Sequence, residues 1–225
     1  MKHYGKGKNW IRKTLDTAKT RERVTSTPQP VVCVFDATKI GDELLLVARA
    51  PALKTNLGWA WIPQETKEAY AGLRAVVEGK GFTLVAVVLD GRTGIPSVFK
   101  DIPVQICQFH QLQIVRRKLT LRPETDAGKE LLYVTFGIAK SNETTFKKEL
   151  AIWFSQYESF INERTYTEGC KRWRYTHARV RSAYRSLMKN LPHLFIYQKY
   201  PGLAIPNTTN SLDGSISHLR DKLRA

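Results

Sequence analysis

Apolar residues fall in continuous runs through the first half of this chain and at helical spacing through the second. The runs VVCVFDA (31–37), ELLLVARA (43–50) and the shorter NLGWAWI (56–62) read as three strands, and KIGD supplies turn chemistry between the first two, which predicts a meander. After Pro63, Ala69, Tyr70, Leu73, Val76 and Val77 recur at helical spacing, and the pattern stops at Gly79 and Gly81. FTLVAVVLD (82–90) is apolar without alternation, as a strand covered on both faces requires. GRTGIPSVFKD then reads as a short helical crossover and PVQIC as a further strand, so the predicted order is βββαβαβ, an α/β fold on a mixed sheet.

From about Gln108 to Ala204 the pattern becomes helical. Phe146, Leu150, Trp153, Tyr157 and Phe160 form one apolar stripe, most simply core packing. A second helix is predicted from Arg172 to about Leu191. On it Trp173, His177, Val180, Tyr184, Leu187 and Leu191 share a face, and Arg174, Arg181, Arg185 and Lys189 line the adjacent one.

Charge gives that basic stripe a second meaning. The net charge is +16, a balance that attracts polyanions, and nucleic acid is the commonest such partner inside a cell. The excess is uneven. Between Gly169 and Tyr200 there are eight basic residues (Lys171, Arg172, Arg174, Arg179, Arg181, Arg185, Lys189, Lys199) and no acidic one. Without acidic neighbours, Arg172, Arg174, Arg179, Arg181, Arg185 and Lys189 are candidate contacts for a DNA backbone, with a plain solvated face as the alternative. Residues 1–30 are also basic and end in STPQP, whose prolines favour an extended connector. No apolar stretch approaches the roughly 20 residues that span a bilayer, and the N-terminus lacks the apolar core of a signal peptide, so a cytoplasmic protein without a membrane partner is expected. Three widely spaced cysteines, Cys33, Cys107 and Cys170, fit a reducing compartment better than a disulfide framework.

The candidate chemistry lies where two of the apolar runs end. VVCVFD delivers Asp36 and TLVAVVLD delivers Asp90, and a carboxylate closing an otherwise apolar strand is costly unless it has a partner. Two such acids at corresponding ends of central strands suggest one shared site for hard cations, the arrangement that two-metal phosphodiester chemistry uses. Taken singly, each could be a turn or capping aspartate. CQFH places Cys107 and His110 at i and i+3 on one helix face, half of a zinc-ligand set with no second pair at matching spacing.

FDATK around Asp36, VVLDGR around Asp90, CQFH, and NTTNSLDGSISHLRDKLR near the C-terminus together resemble the Mutator-like and related bacterial insertion-sequence DDE transposases. The resemblance implies a ribonuclease H-like sheet (βββαβαβα) whose first part spans 31–107, a long all-helical insertion over 108–204, and a last catalytic helix in 205–225. It implies that Asp36, Asp90 and Asp213 hold two Mg²⁺ or Mn²⁺ ions and cut and join DNA, with transposon ends and target DNA as partners, a multimer on DNA and, in a bacterium, association with the nucleoid. Cys107, His110 and Asn210 would support that site, with a satisfied core histidine as the alternative for His110. Asp213 departs from the pattern, which usually has glutamate there, and no glutamate follows Glu168. Members of this family carry additional segments, so a fragment or degenerate copy is also expected. Two other outcomes fit the same residues: a nuclease without strand transfer, and a catalytically silent DNA-binding protein.

Overall fold

The computed structural model describes residues 10, 27–166, 172–212 and 214–217. Its sheet has five strands, β1 (Pro30–Ile40), β2 (Glu43–Ala50), β3 (Thr55–Ile62), β4 (Thr83–Leu89) and β5 (Val104–Ile106), in the order β3-β2-β1-β4-β5. The meander β1-β2-β3 is antiparallel, whereas β4 and β5 run parallel to β1. Parallel neighbours need a crossover. Helix α1 (Lys67–Gly79) supplies it between β3 and β4, and a 3₁₀ turn (Ile95–Phe99) lies between β4 and β5. Fold class and the order of strands along the chain thus follow the α/β mixed sheet that the sequence predicts.

Local chemistry explains where these elements stop. Gly41, at φ 64°, turns β1 into β2. The Thr66 hydroxyl caps α1 by accepting from the Ala69 amide at 3.2 Å. Tyr70, Leu73 and Val77 of that helix are buried against one sheet face with Phe35, Leu46, Leu89 and Phe99, while Val76, expected on the same stripe, is exposed at its edge. The opposite face packs Val34, Val47, Ala86 and Val88 against Cys107, Ile205, Leu212 and Ile216. A sheet covered on both sides accounts for the unbroken apolar run of β4.

Strand β1 differs from its prediction. It does not end at Asp36 but continues to Ile40, because Thr38 is buried and the ladder with β2 runs to Ile40 opposite Glu43. Asp36 therefore sits within β1, level with Val47 of β2, at the point where β4 has ended.

The later residues form α2 (Gln108–Leu119), α3 (Asp126–Phe136), α4 (Glu143–Asn162), α5 (Ala178–Leu194) and the short α6 (Ile196–Lys199), followed by helical residues at 210–212 and 214–217. Phe146, Leu150 and Trp153 of the predicted stripe are buried among Val115, Leu131, Leu187 and Phe195, and Tyr157 and Phe160 pack at its margin. The Trp153 indole N–H donates to the Ala127 carbonyl at 3.0 Å, so the one polar atom of that ring is satisfied inside the core.

The region is not all-helical. Strands β6 (Arg164–Tyr166) and β7 (Trp173–Tyr175) pair as an antiparallel ribbon, and the helix expected from Arg172 starts only at Ala178. Trp173 and Tyr175 are aromatic positions with Arg174 between them, a period of two that the ribbon uses: Trp173 pairs with Tyr166 and stacks under the Arg164 guanidinium, 4.1 Å from the ring centroid. Trp173 is consequently 42% exposed instead of forming a helical core face.

Candidate active site

Register brings the two aspartates together. The parallel ladder between β1 and β4 ends with Val34 opposite Val88. Two residues further along each chain come Asp36, on the same face of β1 as Val34, and Asp90, just past the end of β4, and both charges act on Tyr70 and on His110. Each carboxylate is oriented by a nearby main-chain amide: Asp36 Oδ1 accepts from the Ala37 N–H and Asp90 Oδ1 from the Arg92 N–H, both at 2.9 Å. The second contact is an Asx turn across Gly91, whose φ of 83° bends the chain sharply away from β4. Asp36 is only 8% exposed, so its charge acts in a poorly screened setting.

Other groups converge there. The buried Tyr70 hydroxyl is held in its neutral form first by burial and then by the negative charges of Asp90, Glu65 and Asp36. Burial also raises the Glu65 carboxyl, reinforced by Asp90 and opposed by Arg92. Glu65 accepts from the Arg92 guanidinium at 2.6 Å and from the Tyr70 hydroxyl at 3.2 Å. One arginine therefore spans the site, its amide on Asp90 and its guanidinium on Glu65. Glu65 was not among the sequence candidates. It reads as an ordinary residue before a helix cap, and only the packing of α1 beside β4 gives it these partners.

His110 lies where the sequence expects, on the first turns of α2 with Cys107 at its N-cap. Its imidazole is raised in basicity, above all by the adjacent Cys107 thiol and further by Asp36 and Asp90, against a burial that lowers it. Its Nδ1 is buried with no hydrogen-bond partner among the described residues. The ring thus lies beside the Cys107 thiol and within the field of both carboxylates.

The segment before the last helical residues is tied to the same spot. The Gln108 amide donates to the Asn207 carbonyl at 2.9 Å, and Cys107 Sγ lies 3.7 Å from the buried Thr209 hydroxyl. Asn210 follows, exposed at the start of the helical residues. Asp213 lies outside the described residues.

No family model and no curated protein matches this chain. The site's reading therefore stands on its own chemistry. Hard divalent cations take one or two carboxylates plus water and substrate oxygens, and Asp36 and Asp90 fit that donor set. Among the described residues no group of three His, Cys, Asp or Glu side chains converges as a metal site.

The six basic candidates separate. Arg172 and Arg174 are exposed at the ribbon, Arg174 on β7 itself, and Arg185 is exposed on α5. Arg179 is exposed too, with its Nε donating to the Lys118 carbonyl at 2.7 Å. Lys189 reaches back to the site, donating to the Thr93 hydroxyl at 2.8 Å. Arg181 is taken up by the fold: it donates to the Asn162 side chain and lies over the Tyr175 ring, 3.9 Å from the centroid. Arg181→Ala should therefore cost about 1–3 kcal/mol in urea unfolding by loss of that hydrogen bond and ring contact, whereas Arg185→Ala should stay within about 0.5 kcal/mol. Equal stability of the two variants would return Arg181 to the solvated set.

Proposed function

We propose that this protein is a DDE-type DNA transposase with a ribonuclease H-like sheet, which nicks a DNA end and joins the freed 3′ hydroxyl to target DNA. The observation that supports the reading is that the β1–β4 ladder ends two residues before Asp36 and Asp90, whose charges both act on Tyr70 and His110. Rigid placement matters because phosphoryl transfer depends on positioning and charge more than on covalent chemistry by the protein. Asp36 and Asp90 would hold two Mg²⁺ or Mn²⁺ ions, and bound ions of this kind supply an activated attacking oxygen and stabilise the leaving one.

The remaining work falls to the chain itself. The Ala37 and Arg92 amides hold both carboxylates in one orientation, so no reorganisation is needed when substrate arrives. His110, when protonated, would offset part of the negative charge of the two carboxylates. Arg185 and Lys189, exposed on α5, would meet the phosphates of an approaching duplex. Asp213 is the third acid of this proposal.

Incubation with labelled DNA carrying the ends of the surrounding element tests it. Nicking that requires Mg²⁺ or Mn²⁺ and disappears in EDTA is the expected result. Binding without nicking under all conditions would favour a silent DNA-binding protein, and nicking without any joined product would favour a nuclease.

A further inference from the structure

The turn that follows Asp90 is approached by lysines from two different layers. Lys67, the first residue of α1, reaches it from one side: a Cβ added at Gly94 would lie 2.9 Å from Lys67 Cε and 3.9 Å from its Nζ. Lys189 of α5 reaches it from the other, with its ammonium 2.8 Å from the Thr93 hydroxyl. Both lysines are exposed and neither closes a salt bridge among the described residues, although the Lys67 charge acts on its chain neighbour Glu68. Arg92 in the same turn is a different case, since Glu65 already neutralises its guanidinium at 2.6 Å.

Two ammonium groups drawn to consecutive residues repel one another, and an exposed lysine gains little by lying against a glycine. Gly94 is itself suited to this approach. At φ 88° it adopts a conformation that other residues avoid, and the end of the Lys67 side chain lies over the space a side chain there would take.

We propose that the Thr93–Gly94 turn, flanked by Lys67 and Lys189, is a seat for one backbone phosphate of the DNA strand whose cleavage site lies at Asp36 and Asp90. The inference rests on the reading of those two aspartates as a DNA-processing site. A phosphate between the lysines accepts from both ammonium groups and from the Thr93 hydroxyl, and compact, flexible ammonium groups suit such a contact. The seat is three residues past Asp90, so it fixes the register of the strand and carries no sequence information.

The test is equilibrium binding of the full chain to a fluorescently labelled duplex over a range of NaCl concentrations in EDTA, where cleavage plays no part. Wild type is compared with Lys67→Gln, Lys189→Gln and a control, Lys147→Gln, exposed on α4. Each seat variant should lower the slope of log affinity against log salt by about 1 and weaken binding alike on unrelated sequences, while the control changes neither. Unchanged slopes and affinities in both seat variants overturn the seat; if wild type still nicks DNA with Mg²⁺, the transposase reading survives that result. A wild-type chain that binds no DNA overturns both. Circular dichroism melting of each variant, unchanged from wild type, ties a loss of slope to the lost charge.

Discussion

Asp90→Asn should abolish metal-dependent DNA cleavage, lowering the nicking rate on the order of 10³-fold or more, a loss typical of removing one fixed electrostatic group from a phosphoryl- or acyl-transfer site. The fold should hardly notice. Asparagine keeps the oxygen that accepts the Arg92 amide, so the Asx turn across Gly91 persists and stability should stay within about 0.5 kcal/mol of wild type. The variant removes the charge and leaves the geometry. Gel-resolved nicking of labelled DNA beside a urea melt reads both quantities, and cleavage that survives the substitution would remove Asp90 from the site.

Phe35→Ala should have the largest effect on stability. Phe35 is fully buried on the face opposite Asp36, its ring centroid 5.0 Å from Phe99 and 6.3 Å from Tyr70. Truncation removes the buried ring and leaves a cavity between β1 and α1 that a two-layer contact cannot close, at a cost of about 3–5 kcal/mol. The contact also backs the strand that carries Asp36, and Tyr70 links it to Glu65. Urea unfolding gives the loss directly; a cost under about 1.5 kcal/mol would mean that the layer collapses onto the gap. Val76→Ala on the exposed edge of α1 should cost less than about 0.5 kcal/mol in the same assay.

The sheet was legible because its strands are apolar on both faces and its turns carry glycine, so runs such as TLVAVVL admit one reading. The same simplicity made Asp90 and the helix at Tyr70, Leu73 and Val77 easy to locate. Asp36 is visible in the sequence, but its position within β1 is not, since the ladder beyond it depends on pairing with β2 rather than on local sequence. The ribbon is ambiguous in the sequence for a definable reason. Trp173 and His177 satisfy a helical spacing, whereas Trp173, Arg174 and Tyr175 satisfy a strand alternation, and three residues cannot decide between the two without the partner strand at Arg164–Tyr166.

Long-range polar partners were the least visible. Gln105 is buried between the Leu194 carbonyl, to which it donates at 2.9 Å, and the Tyr197 amide, from which it accepts at 3.0 Å. Gln111 receives the Asn190 amide at 2.7 Å in the same way. These contacts lock α5 to the sheet and to α2, and that is how Lys189 comes to face the Asp90 turn. Nothing local in PVQIC or QFHQ marks those glutamines as buried, because their partners lie some eighty residues away. Glu65 and Arg92 are hidden in the sequence for the same reason, each reading as an ordinary surface charge.

Under the proposed function, Asp36 and Asp90 form one cation site. A titration with Mn²⁺, following the electron paramagnetic resonance signal of the free ion, tests it without requiring the correct DNA. Wild type should bind Mn²⁺, and Asp36→Asn and Asp90→Asn should each weaken binding by about tenfold or more, since either acid supplies a direct oxygen ligand. Mn²⁺ affinity that is the same in wild type and in either variant would contradict the account.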